Sequence, residues 1–563
     1  MLISRMAPVA PVSPIGLVVL LLAGCGGTVD AFDPDGNFEP DHVLQVAIEM
    51  DEADWDALRH QSRSFMTELS GDCMAQPFTK PYTYFHASIT VDGYHLPDIG
   101  IRKKGFIGSQ STEKPGFRLN LDEFVSGAEL FGKDNMTLNN GVQDPALIRQ
   151  CLTYDRFRAA GLPAPRCNFA RVSMNGRDLG IYVHVEPIKR SFLRAQFGSD
   201  EGSLYEGTLS DFREGFLATY EPKTDVTDLA LTQVRALTAA LESSESKRSV
   251  LERFFDFDQL LSHLAMETIT GHWDGYAGNR NNYYLYLHPD DGKFHLIPWG
   301  ADGTMRKERL EEHPYSKGAV AHHVLKRPEL REAFAERTRT LLDSIWVESE
   351  VLAEVDRMEA LIGTEIDTEP LQPALEGLKA YIEDRRSRLE RRLDNPRVED
   401  MPSAYCLAET GQIEAHFKTT WGSLNNNPDL TRAGDLEIDM EWGEGPTRFV
   451  RAGIGAGYSD DDGRPLIAIV GLLDEARGAM FIPFVHFDPN QVEAGESISI
   501  GGLGVEGGAS GGILYRDNAR PNLSQAGFLG EGSLQFDRFG AGPGDPVEGV
   551  LESKIFSWQE QRP

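Results

Sequence analysis

The period of the hydrophobic pattern changes twice along the chain, and this limits the folds that are possible. From about residue 40 to 190, short alternating segments are separated by turn signals, such as Ala87 to Val91 followed by Asp92-Gly93. After Asp228 the apolar residues recur at helical spacing as far as Leu393, and beyond residue 395 short alternating runs return. We therefore predict an α+β fold: a β-rich region, a helical region, and a separate Gly- and Asp-rich β-sandwich from residue 396 to 563.

Two local signals within the β-rich region are specific. Asp144 as N-cap, Pro145 at the first helical position and Gly161 as a stop predict one helix between the strands. Asn175-Gly176 between two alternating segments predicts a hairpin with a type I′ turn.

The charge of the chain excludes one class of partner. There are 87 acidic and 55 basic residues, and the net charge is −32. A nucleic acid would be repelled rather than bound through its phosphates, so we expect no nucleic-acid partner, and acidic lipid surfaces are disfavoured as well. An anionic ligand therefore requires a local basic pocket that stands out against this background.

The N-terminus has the pattern of an export signal. Arg5 precedes an apolar run from Ile15 to Ala23, which is too short to cross a bilayer. The run ends in Leu22-Ala23-Gly24-Cys25, which resembles the bacterial lipobox. We predict a lipoprotein signal peptide over residues 1–24, a membrane anchor through lipidated Cys25, a tether over residues 25–40 and a location in the bacterial cell envelope. An ordinary cleaved secretory signal is the alternative.

Four cysteines remain when Cys25 is set aside, namely Cys73, Cys151, Cys167 and Cys406. An even number in an exported chain permits up to two disulfides. Three pairings are possible, and the spacing does not select one of them.

A loop between a helix and a hairpin has the composition of a catalytic loop. His272-Trp273-Asp274 is followed by Asn279, and the next strand ends near Asp302-Gly303. The Asp and Asn have the spacing of the protein-kinase loop H-R-D-x-x-x-x-N, and Asp302 lies where a kinase has its D-F-G carboxylate. Alone, an Asp and an Asn five residues apart are typical of turns and caps, but the order helix, loop, hairpin, strand end strengthens the kinase interpretation.

The chain resembles a known family, the spore coat protein H (CotH) kinases, which are atypical bacterial protein kinases. The resemblance extends from about residue 42 to 393. It depends on a series of sequence blocks in one order: Ile101 to Gly105, Lys114 to Leu119, Leu138 to Arg149, Gly161 to Pro165, Asn175 to Tyr182 with Glu186, Trp273 to Tyr286, and Ile297 to Trp299. The resemblance implies a two-lobed protein-kinase-like domain over residues 41–395, with an ATP site between an N-lobe (41–190) and a C-lobe (191–395).

The resemblance also implies which residues contact the nucleotide. Those placed near the phosphates are Arg102, Lys103, Lys104 and Ser109, with Lys114 as the partner of the β- and γ-phosphates. The strand that ends at Glu186 would be the hinge that holds adenine through its backbone. The helix after Asp144 would supply an acidic partner for the lysine, with Asp155 as the candidate.

The chemistry implied is transfer of the ATP γ-phosphoryl group to Ser or Thr of envelope or surface proteins. Asp274 would orient or deprotonate the acceptor hydroxyl, Asn279 and Asp302 would hold Mg²⁺ or Mn²⁺, and Lys114 would stabilise the transferred charge. One position departs from the family, which usually has Trp-Asp-x-Asp where this chain has Trp299-Gly300-Ala301-Asp302. The alternative is therefore a non-catalytic surface lipoprotein with an adhesive or structural role.

Overall fold

A computed structural model describes residues 38–224, 229–307, 313–443, 445–459, 463–501, 508–519 and 521–561. The predicted signal peptide, Cys25 and most of the tether lie outside the described residues, so lipidation stays a prediction. Within those ranges no helix is both long and apolar enough to cross a membrane.

The first region forms a closed seven-stranded barrel with the strand order β1-β2-β3-β4-β5-β7-β6. The barrel closes because β1 pairs antiparallel with β2 and parallel with β6, which leaves no free edge. Asn175 and Gly176 both have positive φ, as the predicted type I′ turn requires, in the hairpin of β6 and β7. The strands are β1 (Val43–Glu49), β2 (Phe85–Val91), β3 (Tyr94–Lys104), β4 (Gly116–Asn120), β5 (Asn135–Asn139), β6 (Cys167–Met174) and β7 (Arg177–Val185).

Three helices accompany the barrel: α1 (Glu52–His60), α2 (Phe65–Leu69) and α3 (Arg149–Ala159). The prediction that Asp144 is the N-cap of α3 is wrong, because the helix begins only at Arg149. Asp144 caps a preceding turn, where its carboxylate accepts hydrogen bonds from the backbone N–H groups of Ala146 and Arg149. Leu147 has a φ of 63°, a left-handed conformation that prevents the helix from starting earlier.

The second region combines a four-stranded sheet of order β11-β10-β8-β9 with nine helices among the residues described. The strands are β8 (Ser203–Gly207), β9 (Glu221–Pro222), β10 (Tyr283–Leu287) and β11 (Phe294–Pro298). The helices are α4 (Arg190–Phe197), α5 (Leu229–Glu242), α6 (Lys247–Phe254), α7 (Phe257–Thr270), α8 (Tyr276–Asn279), α9 (Ala319–Lys326), α10 (Pro328–Ser344), α11 (Glu348–Ile362) and α12 (Gln372–Glu390).

Helix α7 lies in the centre of the helical core and leads into the loop that carries the candidate catalytic residues. Asp256 caps its start by accepting the backbone N–H of Gln259, and Gly271 ends it in the left-handed conformation. The last carbonyls of α7 are satisfied from α12, because Arg385 donates to Ile269 at 3.1 Å and Tyr381 donates to the same oxygen at 3.0 Å. The arginine-rich segment from Arg385 to Arg392 predicts a solvated helix face, but Arg385 itself is completely buried.

The third region is all-β apart from one short helix, α13 (Ser423–Asn426), and short 3₁₀ turns. It forms a single nine-stranded sheet rather than two separate sheets, and the sheet curls so that Ile454 near one end donates its N–H to Ala433 near the other at 2.7 Å. The strands are β12 (Tyr405–Thr420), β13 (Asp435–Trp442), β14 (Arg451–Tyr458), β15 (Pro465–Asp474), β16 (Ala479–His486), β17 (Ser497–Ile500), β18 (Ser510–Arg516), β19 (Ser524–Phe539) and β20 (Pro546–Glu560). The mixed α/β class is confirmed, whereas the division into separate domains stays a prediction.

Two disulfides select one of the three possible pairings. Cys151 on α3 is bonded to Cys167 on β6, and Cys73 is bonded to Cys406 at the start of β12. The second bond joins residues 333 positions apart and therefore links the barrel region covalently to the C-terminal sheet.

Removing the Cys73–Cys406 bond by the double change Cys73→Ser and Cys406→Ser should destabilise the protein more than removing Cys151–Cys167. The loops span 333 and 16 residues, and the chain-entropy model gives about 6 kcal/mol for the long loop and about 3 kcal/mol for the short one. Urea unfolding followed by tryptophan fluorescence measures both losses. A larger loss for the short loop would contradict the expectation.

Candidate active site

A polar cavity of about 260 Å³ lies between the barrel and the four-stranded sheet. Its wall carries two more cationic than anionic side chains, in a chain whose net charge is −32. It is therefore the kind of local basic pocket that an anionic ligand requires. The charged residues that line it are Arg63, Lys80, Arg102, Lys104, Arg118 and Lys223 on the cationic side, and Glu206, Glu221, Asp274 and Asp302 on the anionic side.

The pleat of β3 separates the three consecutive basic residues predicted near the phosphates. Lys103 lies on the same strand face as the barrel-core residue Ile101 and donates from Nζ to the carbonyl of Arg59 at 2.5 Å. Arg102 and Lys104 lie on the other face and line the cavity. Burial lowers the pKa of Lys104 to about 8, and the negative charge of Asp302 opposes this shift.

A chain of hydrogen bonds holds Lys104 in place and involves residues that the sequence analysis did not identify. Nζ of Lys104 donates to Oδ1 of Asn139, and Nδ2 of Asn139 donates to Oε1 of Gln150 at 2.7 Å. Gln150 lies on α3 and also donates to the hydroxyl of Tyr154 at 3.1 Å. Helix α3 therefore supports Lys104 through an amide relay, whereas the sequence predicted a carboxylate partner from this helix for Lys114.

Asp155 does not take part in this relay. Its carboxylate pairs with Arg156 at 2.5 Å and with Arg158 at 3.2 Å on the same helix. The residue of this helix that reaches the cavity is Gln150, five residues before Asp155. Its position in the predicted helix is the one feature of the sequence that could have identified it.

The glycine-containing loop after β3 contributes Ser109 to the cavity wall. Gly105 and Gly108 have φ values of 134° and 92°, so the loop needs glycine at both positions. The carbonyl of Ser109 accepts a hydrogen bond from Nδ2 of Asn140 at 2.9 Å, which fixes the loop against the end of β5. A side chain at Gly108 would come within 3.1 Å of Gln143.

Lys114 is not among the cavity-lining residues. Its Nζ donates to the carbonyl of Ile181 at 2.8 Å and lies 5.1 Å from the centre of the Tyr182 ring. Burial lowers its pKa to about 8, opposed by Asp178. The phosphate-binding role predicted for Lys114 therefore does not fit its placement, whereas Lys104 lines the cavity.

Glu186 is also remote from the cavity wall. It is buried directly after β7, where its carboxylate pairs with Arg166 at 2.8 Å and with Lys133 at 3.5 Å. Burial raises its pKa, but the hydrogen bonds and charge of Arg166 outweigh burial and lower the pKa overall. The strand end at Glu186 is thus a buried ion-pair site, and its predicted role as an adenine hinge has no support in the cavity geometry.

Three asparagine amides converge on Asp274. Nδ2 of Asn279 donates to Oδ1 at 2.6 Å, Nδ2 of Asn282 donates to Oδ2 at 2.7 Å, and Asn281 lies 3.4 Å from both oxygens. Asn281 and Asn282 line the cavity together with Asp274, whereas Asn279 lies behind the carboxylate at the end of α8. The predicted Asp274–Asn279 pair is therefore close in space, but the amides that face the cavity are two and three residues further along the chain.

Buried groups beneath this loop fix its shape. The carboxylate of Glu267 on α7 accepts the backbone N–H groups of Tyr276 and Ala277, each at 2.8 Å. The ring of His272 hydrogen bonds to the carbonyl of Trp299 at 3.0 Å and joins the Asp274 loop to the strand end that carries Asp302. Burial lowers the pKa of His272, so its role here is that of a neutral spacer.

Asp302 lies in a 3₁₀ turn, Ala301–Gly303, directly after β11 and Trp299. Burial and the nearby carboxylates of Asp144 and Asp274 together raise its pKa to about 6, against the opposing charge of Lys104. A divalent cation would relieve this repulsion, and carboxylate and amide oxygens are the ligands that Mg²⁺ and Mn²⁺ prefer. No group of three or more His, Cys, Asp or Glu side chains suited to a metal occurs in the described ranges, so amide oxygens of Asn281 or Asn282 would have to complete the set.

At position 300 this chain has Gly where the family usually has Asp, and the surroundings of Gly300 show how the chain accommodates the difference. It has a φ of 48°, and a Cβ atom built there would lie 2.3 Å from Oδ1 of Asn282. The side chain of Asn282 thus occupies the space that a side chain at position 300 would need. An amide oxygen takes the place of the expected carboxylate at this point of the cavity wall.

The shifted pKa values of Lys104 and Asp302 predict how the affinity for a metal–nucleotide complex varies with pH. Affinity should fall as the pH rises through about 8, because Lys104 loses its charge, and should fall as the pH drops through about 6, because Asp302 becomes protonated. Calorimetric titration of Mg·ATP at several pH values measures both limbs. Lys104→Arg should remove only the alkaline limb, because a guanidinium stays charged. An affinity that does not vary with pH would contradict these assignments.

The cavity defines a class of protein, namely a mixed α/β chain with Lys104, Asp274, Asp302 and the glycine-containing loop after β3 in one basic cleft. Residues 101–392, just over half of the 563 residues, match the family described as CotH kinase protein. The chain belongs to this family, as its motifs predicted.

Curated relatives agree with this assignment. Inner spore coat protein H of Bacillus subtilis is 24% identical over 255 residues, which are 41% of this chain and 69% of that protein. Spore coat protein homolog 1 of Rhizopus delemar is 23% identical over 283 residues, 46% of this chain and 45% of that protein. Invasin CotH7 of the same fungus is 24% identical over 229 residues, 36% of this chain and 38% of that protein. The chain thus spans less than half the length of these two fungal relatives.

Solved structures provide only weak similarities. The proinflammatory kinase CtkA of Helicobacter pylori is 12% identical with a TM-score of 0.24, covering 46% of this chain and 89% of that one. A chain of the HipA, HipB and operator DNA complex of Shewanella oneidensis is 12% identical with a TM-score of 0.30, covering 65% of this chain and 77% of that one. At these scores the family membership rests on the sequence match.

Proposed function

We propose that this protein is an exported atypical protein kinase that transfers the γ-phosphoryl group of ATP to Ser or Thr of surface proteins. The observation that carries the proposal is the convergence of Lys104, Asp274 and Asp302 on one cleft with a cationic excess. Phosphoryl transfer needs positioning and charge neutralisation more than covalent help, and this cleft supplies both.

The basic wall would bind the phosphates. Lys80 and Lys223 are engaged by Glu221, and Lys223 also pairs with Glu206. Arg102, Lys104 and Arg118, on the neighbouring strands β3 and β4, form the remaining cationic surface on the barrel side of the cleft. Charged Lys104 would donate hydrogen bonds to phosphate oxygens, and the Asn139–Gln150 relay would keep it aimed at them.

Asp274 would receive the acceptor hydroxyl. Its oxygens already accept the amide N–H groups of Asn279 and Asn282, which hold the carboxylate in one orientation. As the bond between the Ser or Thr oxygen and the γ-phosphorus forms, the bond from that phosphorus to the β,γ-bridging oxygen breaks, ADP leaves, and the hydroxyl proton passes to Asp274.

The residues that would hold a divalent cation are Asp302, Asp274 and the amide oxygens of Asn281 and Asn282. Mg²⁺ or Mn²⁺, when bound, neutralises charge on the phosphates. Asn279 would contribute through Asp274, because its side chain donates to that carboxylate and is not part of the cavity wall.

The proposed location is the bacterial envelope, with a lipid anchor at Cys25 and acceptors among envelope or surface proteins. Three observations support it. The sequence up to Cys25 has the lipobox pattern, and the relatives are called spore coat proteins and invasins. The two disulfides suit an oxidising compartment.

The test is incorporation of label from [γ-³²P]ATP by a soluble form that begins at Gly26, with Mg²⁺ or Mn²⁺. We expect labelling of the protein itself or of added envelope proteins, and loss of that labelling in Asp274→Ala. Phosphoamino-acid analysis of the product then identifies phosphoserine or phosphothreonine. Labelling that persists in Asp274→Ala would contradict the assigned role of this carboxylate.

A second candidate function is a non-catalytic surface protein that uses the same fold for adhesion or envelope structure. Gly300 favours it, because the family usually has an Asp at this position and the space is filled here by Asn282. The absence of any labelling, together with no thermal stabilisation by nucleotide, would select this function over the kinase.

A further inference from the structure

A second basic cavity lies beside the active-site cleft and takes no part in the proposed phosphoryl transfer. Its volume is about 430 Å³, and the charged residues that line it within the described part of the chain are Arg149, Arg306 and Lys307. A wall with this excess of cationic side chains stands out in a chain with a net charge of −32.

Arg149 has spare hydrogen-bonding capacity at this cavity. Its side chain is 7% exposed, and its guanidinium donates to Asp144 at 2.7 Å and to the carbonyl of Ala374 at 3.2 Å. Its Nε–H has no hydrogen-bond partner within the described part of the chain, and the same holds for Nε–H of Arg306. Buried donors are normally satisfied, and an acceptor in the cavity reaches these two Nε–H groups only when the arginine side chains turn toward it, because both atoms are covered by protein.

Two helix N-termini add to the positive potential. Arg149 is the first residue of α3, and Pro373 and Ala374 belong to the first turn of α12, which has 19 residues. The positive ends of both helix dipoles therefore lie at the cavity, although the Asp144 carboxylate already accepts the first N–H of α3, so the free contribution is that of α12.

We propose that this cavity is a binding site for a phosphomonoester dianion, separate from the nucleotide cleft. Guanidinium groups bind phosphate oxygens in a bidentate manner, and Lys307 adds a further charge at the mouth. The volume of about 430 Å³ falls within the ~300–1,000 Å³ range of small-molecule sites and exceeds what a bare phosphate fills. It therefore suits a phosphate that carries an organic group, such as the side chain of phosphoserine or phosphothreonine.

Gln143 connects the site to the cleft. Its carbonyl accepts a hydrogen bond from Arg306, and its side chain lines both cavities and lies against Gly108 of the glycine loop. A bound phosphate would thus lie on the far side of Gln143 from the nucleotide. The proposal does not depend on kinase activity, because the site is built from residues outside the proposed catalytic set.

The test is calorimetric titration of the full chain in detergent micelles with inorganic phosphate and with N-acetyl-O-phosphoserine amide. We expect saturable binding that weakens about tenfold in Arg306→Gln and in Lys307→Gln, as for the loss of one charge-assisted contact. Binding should be unchanged in Arg177→Gln, a matched loss of charge on the exposed β6–β7 turn, and in Lys104→Met within the cleft. Tighter binding of the phosphoserine compound identifies a phosphorylated side chain as the ligand, and equal binding identifies free phosphate.

Three results would overturn the proposal. They are no saturable binding, binding that is lost only in Lys104→Met, and binding that Arg177→Gln weakens as much as Arg306→Gln does. Lys307 is exposed, so its replacement leaves the fold intact and keeps the test valid if Arg306→Gln is unstable. Melting temperatures without ligand identify such instability.

Discussion

Replacing Lys104 with methionine is expected to lower kcat/KM for phosphoryl transfer by about 10²–10³-fold, as for the loss of one preorganised charge at a reacting group. Methionine keeps the length and apolar character of the side chain but removes its charge and its hydrogen bond to Asn139. Initial rates of label transfer at several ATP concentrations measure the effect.

Lys114→Met is the matched control for this prediction. The two lysines lie ten positions apart, and burial lowers the pKa of each to about 8. Only Lys104 lines the cleft, and Lys114 donates to the carbonyl of Ile181. We expect Lys114→Met to reduce stability and to leave kcat/KM within about threefold, which is less than 1 kcal/mol of transition-state stabilisation. A large loss of kcat/KM in Lys114→Met, with little loss in Lys104→Met, would instead assign the phosphate-binding role to Lys114.

Asp302→Asn is expected to reduce kcat/KM by about 10³-fold and to raise the metal concentration needed for half-maximal activity, because a neutral amide attracts a divalent cation far less than a carboxylate does. The acid limb of the pH dependence should disappear as well, since Asp302 is the group with a pKa of about 6. Titration of activity with Mn²⁺ at a fixed ATP concentration measures the change.

Asp155→Asn provides the control for Asp302→Asn. Asp155 pairs with Arg156 and Arg158 on α3 and is not part of the cavity wall. Its replacement should leave the metal dependence unchanged. An Asp302→Asn protein with normal activity and normal metal dependence would show that this carboxylate does not serve the reaction.

The sequence predicted those features that depend on short-range rules. The Asn175-Gly176 turn and the loop that carries Asp274 follow from the conformational preferences of neighbouring residues, and the structure has both of them. The family itself was predictable because many motif blocks occur in one order.

Features that depend on long-range packing were not predictable. Whether Lys103, Lys104 or Lys114 faces the cleft is decided by the pleat of β3 and by the path of the glycine loop. Several lysines near a glycine turn are visible in the sequence, but this composition determines neither the pleat of β3 nor the path of the glycine loop. One residue of error in register moves a side chain to the opposite face of a strand.

The support of Lys104 was also hidden from the sequence. Asn139 and Gln150 lie 35 and 46 positions from the lysine, and neither residue is charged, so no charge pattern pointed to them. The role of Gly300 likewise could be seen only in the three-dimensional structure. Asn282, 18 positions earlier in the sequence, fills the space that a side chain at position 300 would occupy.

The most direct test of the central claim is a crystal structure of the soluble form with a non-hydrolysable ATP analogue and Mn²⁺. The account predicts an anomalous manganese peak between the carboxylates of Asp274 and Asp302, with the terminal phosphates in contact with Nζ of Lys104. A nucleotide bound elsewhere, or a cleft without manganese at these two carboxylates when the analogue is bound, would contradict it.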